Sequence, residues 1–455
     1  MDLNLFHSSK LVHSMKVRLL HSIMSRKKYA LFCCCIIAMS TSCIAQSEGL
    51  KAKMDRLAQE EEAKVIAWRR DFHEHPELSK REVRTADIVA KHLTSLGLEV
   101  QTGVAKTGVV GILKGGKPGP VIALRADMDA LPVTERVDIP FASKVVTEYN
   151  GVKTGVMHAC GHDSHTAILM GTAEVLSKVK NELSGTIKFI FQPAEEGAPA
   201  GEVGGASIMI KEGCLENPKV EAIFGLHISA QTEVGKINYR SGGTMASSDA
   251  FTIKIKGKQT HGANPWLGID PIVTGSLMVT TFQTIVSRMT PLTETPAVVT
   301  VGSFNGGNRG NIIPEEVKMT GTVRCFDTKV QMRIHDEIRR IAKNIAESQG
   351  ATAEVDIQIG NPVTYNDPTL TEKMAPSLKE VVGEKNIFIA NAQTGAEDFA
   401  HYQKVVPGLF FFLGALPKGT KVENSGPHHT PDFYLDESGF VLGVKAFCHL
   451  VVDYK

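Results

Sequence analysis

Four unbroken apolar runs dominate the patterning of the chain: "VIALRADMDALP", "GTIKFIFQPAEEG", "AIFGLHI" and "PGLFFFLGA". The segment "HTAILMGTAEVLSKV" lies between the first two with a helical pattern, and "GFVLGVKAFCHLVVDY" follows the last as a final helix. A strand that is apolar at every position must be covered on both faces. Such strands alternating with helices predict an α/β fold, a mostly parallel sheet with helices on both sides.

The middle of the chain has a different order. "AFTIKIKG", "DPIVTGSLMVTTFQTIVSRM", "AVVTVGSF", "EVKMTGTVRCF", "KVQMRIHDEIRRIAKNIAES" and "TAEVDIQI" read as β-α-β-β-α-β. That is the ferredoxin-like order, and it predicts a complete α+β domain inserted into the larger one. The expected boundaries are 46–244 for the first part of the large domain, 245–361 for the insertion and 362–455 for the return. "SGGTMASS" and "GNPVTYND" suit the hinges between them. Nearer the N-terminus, residues 50–98 read as helices. Ser79 is expected to cap the second of these, with Glu82 completing a capping box and Gly97 ending it.

Ahead of the fold, "SRKKYALFCCCIIAMSTSCIAQ" has a basic start, a short apolar run and small residues, the pattern of an export signal. Residues 1–45 are read as that signal, with Met24 as an alternative start. Cleavage after Ala45 competes with lipoprotein processing at Cys43. Export places the mature chain in the periplasm or outside the cell, without a membrane span. Four of the eight cysteines (Cys33, Cys34, Cys35, Cys43) fall in this segment. The remaining Cys160, Cys214, Cys325 and Cys448 are too few for a disulfide framework. A formal net charge of +1 and the lack of a basic stripe argue against a nucleic-acid partner.

The chemistry gathers where the apolar runs end. Asp127 and Asp129 follow the first, Glu195 and Glu196 the second, His227 the third. In open α/β sheets, ligand sites form at the carboxyl ends of strands. "MHACGHDSH" adds Cys160 and His162 just before a helix, and "HHTPDF" adds His428 and His429. Taken singly, each has a plain reading: a buried cysteine, a solvated glutamate turn, a hydrogen-bonded histidine. Together they offer thiolate, imidazole and carboxylate donors suited to zinc-like transition metals, enough for two ions. Adjacent glutamates in "AEE" point differently, so one can ligate while its neighbour moves protons.

These residues resemble a known family from about Ala67 onward. The matching segments include "RRDFHEHPELSKREVRTA", "LRADMDALP", "MHACGHDSHTA", "FQPAEEG", "GLHI", "KGKQTHGANPWLGIDPI", "NIIPEEV", "GTVRCF", "GAEDF" and "HHTPDF". The family is that of co-catalytic metallopeptidases and amidohydrolases, which includes aminoacylases, carboxypeptidases, hippurate hydrolases and plant auxin-conjugate hydrolases. "HACGHD" resembles its N-acyl-amino-acid amidohydrolase branch. The resemblance implies metal ligands Cys160, His162, Glu196, His227 and His429, with His428 the alternative to His429. It implies Glu195 as general base and acid, and Asp129 as the carboxylate orienting a metal-bound histidine. Asp127 sits where other branches carry a histidine ligand and is not counted as one here. His261 resembles an oxyanion-stabilising residue, and Asn311 and Arg324 resemble substrate contacts. Glu397 is a further pocket candidate. His158, His165 and the histidines of "FHEHPE" are read as structural.

The expected protein is an exported hydrolase using two divalent transition ions (zinc, manganese, cobalt or nickel) to cleave the amide of an N-acyl amino acid. The inserted domain would act as a lid and, as the resemblance implies, as a homodimer contact. A dipeptidase or carboxypeptidase of the same family is the alternative. A non-catalytic binding module of the cell envelope is a second one.

Overall fold

A central sheet of eight strands organises the unit Leu57–Lys455. The structure, a computed structural model, describes residues 49–199 and 201–455. The signal expected over 1–45, with Met24 and Cys43, lies outside the described residues. The strands are β1 (Glu99–Val104), β2 (Gly108–Lys114), β3 (Lys117–Asp127), β4 (Ser184–Gln192), β5 (Ala222–Glu233), β6 (Ile237–Tyr239), β7 (Ile387–Ile389) and β8 (Gly408–Leu416). Their order is β1-β2-β4-β3-β5-β8-β6-β7. The central run β4-β3-β5-β8 is parallel throughout, and antiparallel pairs flank it. Every residue of β8 is buried, as a strand covered on both faces requires.

The register places the chemistry. Parallel pairing of β3 with β5 ends at Arg125 and Gly225, so Asp127 and His227 stand two residues beyond the last pair. His227 does not follow its strand, contrary to the sequence expectation. β5 runs on to Glu233 with only β8 beside it, and His227 pairs there with Phe412.

Two of the helices that precede the insertion position the site. Helix α1 is Val83–Ser95 and helix α2 is His162–Lys178. The capping box expected at Ser79 and Glu82 is absent. The Ser79 hydroxyl donates to Asp129 instead, and Glu77 caps α1 by accepting from the backbone N–H groups of Arg84 and Thr85. Glu82 turns inward, taking hydrogen bonds from Thr107 and the Ala194 N–H. Gly97 does end α1, in the left-handed region at φ +76°.

The insertion is an antiparallel sheet of four strands in the order 297–306, 316–325, 249–256, 352–359. Helices α3 (Pro271–Met289) and α4 (Thr328–Ser348) are capped by Asp270 and Asp327. Phe282, Ile285, Ile334 and Ile338 share one apolar core with Phe251 and Ile253 of the sheet. The two connections read as hinges are joined to each other: Gly242–Met245 pairs antiparallel with Thr364–Asn366. Helices α5 (Pro368–Val382) and α6 (Phe440–Asp453) complete the layer over the large sheet, with α6 against α2 and α5.

Helix α2 is buried from His162 to Leu176, because it lies under α6 and over the sheet. Its entry is tight. Gly161 has φ +97°, and a Cβ there would come within 2.3 Å of Ile228 Cγ2. The first turn is locked by Asp163, which accepts from Arg69 Nε at 3.0 Å and contacts His73 Nδ1 at 2.7 Å. His73 in turn reaches Glu135 at 3.1 Å, so this "FHEHPE" histidine is structural in its contacts.

Burial opposes ionisation of Asp163, but Arg69 and His73 outweigh it and hold its carboxyl well below the usual range. A carboxyl depressed on folding contributes stability above its unfolded value, near 4, and loses it in acid. Asp163→Asn leaves Arg69 partly unpaired in the interior and should cost about 3–5 kcal/mol in urea unfolding at neutral pH. The gap between wild type and variant should narrow as pH falls below about 4, where the unfolded wild-type carboxyl takes up its proton.

Candidate metal centre and active site

Cys160 stands between two histidines that are about 200 positions apart in the chain. Its Sγ lies 3.4 Å from His227 Nε2 and 3.2 Å from His429 Nε2. His429 Nε2 lies 3.1 Å from Glu196 Oε1, and His162 Nε2 lies 4.0 Å from that same oxygen. Two triads share the thiol: Cys160, His162 and His227, and Cys160, Glu196 and His429, each with its donor atoms within 4.8 Å of one another.

Each donor is aimed by something behind it. His227 Nδ1 donates to the Ile228 carbonyl at 2.6 Å, which leaves Nε2 bare towards Cys160. His162 Nδ1 donates to Asp129 Oδ1 at 3.2 Å, which leaves Nε2 towards Glu196. Asp129 also accepts from the N–H groups of Glu195 at 3.1 Å and Glu196 at 3.0 Å, so one carboxylate sets both the imidazole and the glutamate turn. His429 is held in the left-handed region, φ +64°, with its N–H on the Ala159 carbonyl. Such strain in a residue other than glycine persists where the surroundings impose it, often at functional sites.

Two neighbouring histidines, His165 and His428, are otherwise engaged. His165 Nδ1 donates to Asp127 Oδ1 at 2.5 Å, and its Nε2 accepts from the Ile228 N–H at 2.8 Å, so neither nitrogen is left over. His428 Nε2 accepts from the Ala230 N–H at 3.1 Å. His158 is buried, and burial pushes its pKa down to about 3, which keeps it neutral.

The donor set fits a cation. The buried atoms His162 Nε2 and Glu196 Oε1 have no hydrogen-bond partner among the described residues, although such atoms are normally satisfied. Burial pushes the Cys160 thiol far up, and Glu196, Glu195 and Asp127 add to the rise. All of these leading influences act in the same direction, so an added positive charge would favour the thiolate. Burial disfavours the His162 cation, yet Asp127, Asp129 and Glu196 outweigh it and raise the imidazole to about 10. Excess negative charge around the donors is what a metal ion would neutralise.

Glu195 and Glu397 share a cleft of about 400 Å³ with Cys160, His227 and His429. Burial, then Glu397 and Glu196, push the Glu195 carboxyl well up. The Asp398 N–H donates to Glu195 Oε1 at 3.3 Å. Behind this wall the buried Arg125 guanidinium reaches Glu397 at 3.0 Å, Asp398 at 2.8 Å and Asp127 at 2.5 Å. Sequence reasoning missed Arg125 and Asp398, although both lie inside quoted motifs; a charged residue in a wholly apolar strand was the available signal. His261, Asn311 and Arg324 are not in the cleft wall. His261 and Asn311 are exposed neighbours on the insertion, joined by the Gly262 N–H to the Asn311 carbonyl. Arg324 bonds the Thr322 hydroxyl on its own strand at 2.6 Å.

Loading a cation on these donors must expel the protons of Cys160 and His162. Metal affinity should therefore fall as pH falls, by about tenfold per pH unit for each proton expelled. Elemental analysis after dialysis against a series of buffers reads this directly. Cys160→Ser should lower bound metal at neutral pH; unchanged stoichiometry would return Cys160 to a packing role.

The model of peptidase family M20/M25/M40 matches residues 123–453. The chain is 39% identical to an N-acetylcysteine deacetylase of Bacillus subtilis over 86% of its own length and 96% of that protein. It is 39% identical to thermostable carboxypeptidase 2 of Saccharolobus solfataricus, covering 89% of this chain and 99% of the relative. An IAA-amino acid hydrolase of Arabidopsis thaliana is 37% identical, with 86% and 85% covered. A solved structure from Bacillus subtilis, described as a dinuclear metal binding peptidase from the M20 family, superposes with a TM-score of 0.72 at 38% identity, covering 87% of this chain and 98% of that one. With its donor cluster and these relatives, the chain belongs to peptidase family M20/M25/M40 and is a metal-dependent amide hydrolase.

Proposed function

We propose that the protein cleaves the amide bond of N-acyl amino acids, with Cys160, His162, Glu196, His227 and His429 holding two divalent transition ions such as zinc, manganese, cobalt or nickel. The observation that carries this reading is the placement of Cys160 in both donor triads, with Glu195 alongside. Relatives that act on N-acetylcysteine and IAA-amino acids support the substrate class. When bound, such a pair of ions supplies charge that polarises an amide carbonyl and makes a nearby water more acidic.

The rest is done by the chain. Glu195 takes the proton from the attacking water. Its crowded carboxylate surroundings, Glu397 and Asp398 included, favour holding that proton until the leaving nitrogen receives it. Asp129 keeps the His162 ring and the 195–196 backbone in register throughout. His261 would stabilise the oxyanion, with Asn311 and Arg324 receiving the substrate carboxylate, once the insertion closes over the cleft. Homodimerisation through the insertion, and export with processing after Ala45 or at Cys43, complete the proposal. Among the described residues no helix is long and apolar enough to cross a membrane.

A carboxypeptidase reading is favoured by the names of two relatives. A panel of N-acyl amino acids, dipeptides and longer peptides separates the two: highest kcat/KM on the N-acyl series supports the proposal, and highest on peptide C-termini replaces it. Glu195→Gln should lower kcat by about 10²–10⁴-fold with bound metal unchanged. Retained turnover would remove Glu195 from its assigned role.

A further inference from the structure

The cleft beside the metal donors carries Glu195 and Glu397 in its wall. Beyond the metal donors and the two glutamates, Ile228, Met245 and Phe412 give the wall apolar surface, Ser229 and Gln393 give it polar atoms, and among the described residues no lysine or arginine lines it. Arg125 lies behind, committed to Asp127, Glu397 and Asp398. On the reading above, Asn311 and Arg324 receive the substrate carboxylate outside this wall, and no lysine or arginine among the described residues of the wall competes for it. The inward part of the substrate is therefore its uncharged acyl group.

Met245 is one of the three large apolar side chains in this wall. Its backbone is pinned on both sides, paired with Thr364 on one and bridged to Gln393 on the other. The next N–H, from Ala246, donates to the carbonyls of Gln393 and Gly395. The residue is 8% exposed, and its methyl end lies against Gly395, where a Cβ would sit 3.4 Å from Met245 Cε. The frame is thus fixed, while the thioether itself is the adaptable part of the wall.

We propose that the Met245 side chain, lying over Gly395, closes the acyl end of the cleft and limits the substrates to N-acyl amino acids with short apolar acyl groups. This rests on the N-acyl amino acid reading above. The test uses the metal-loaded full chain and kcat/KM on N-acetyl, N-butanoyl, N-hexanoyl and N-octanoyl derivatives of one amino acid. Wild type should decline with acyl length. Met245→Ala should raise the octanoyl-to-acetyl ratio by about tenfold or more, the scale of a methylene-sized change in an apolar pocket. Gly395→Ala, whose methyl meets Met245 at ordinary contact distance, should lower the same ratio. Partial unfolding scales all four substrates together and leaves the ratio alone. Ratios unchanged in both variants, with N-acetyl turnover retained, overturn the proposal. Absence of wild-type turnover on the whole series would instead overturn the reaction reading on which it rests.

Discussion

The Asp129 carboxylate is the interaction on which the site depends. It is fully enclosed at the end of a central strand, where ionisation is opposed by burial and sustained by His162, Ser79 and two backbone N–H groups. Those donors come from separate segments: the approach to α1, the start of α2 and the turn after β4. One buried charge therefore sets the relative positions of His162, Glu195 and Glu196. The expectation that Asp129 orients a histidine captured only part of this geometry.

A second buried charge balances the opposite wall. Arg125 projects from an apolar strand into a cluster of carboxylates. Burial pushes Glu397 up to about 7 and Asp398 up to about 6, against the pull of Arg125. The 397–398 backbone that Arg125 anchors also carries the N–H that meets Glu195. Acid-rich sites are expensive to assemble, because every enclosed carboxylate must find a partner. Here Arg125 serves one side of Glu195, and the donor cluster leaves the other side open to metal ions.

Much of the architecture was legible because burial on both faces writes itself as unbroken apolar strands, and the β-α-β-β-α-β order is read from segment type alone. Local capping was less legible. Ser79 and Glu82 have the spacing of a capping box, but a buried Asp129 and an unpaired Ala194 N–H compete for them, and the tertiary partners win. His227 was placed after a strand that runs past it, since the end of strand pairing with β3 is a property of the neighbour. Among neighbouring histidines, Cys160 and Glu196 meet His429, while His428 turns to the Ala230 N–H. Motif spacing had favoured His429; the backbone at φ +64° is what turns it.

The sequence by itself determined the fold class, the β-α-β-β-α-β segment order and the set of residue types able to bind metal, because these follow from hydrophobic period, segment order and donor chemistry. It also indicated that the cysteines beyond residue 45 form no disulfide framework; Cys160, Cys214, Cys325 and Cys448 are all buried, with no disulfide among them. Only the tertiary structure decided which donors converge. Cys160 and His429 are 269 positions apart and meet because α2 and the 427–433 loop are brought together beside Ile228. His261, Asn311 and Arg324 ride on a separate core, so their distance from the cleft depends on how that unit sits over the sheet and not on any local pattern. Strand ends can be read along a chain, but the contact between two of them is set by packing.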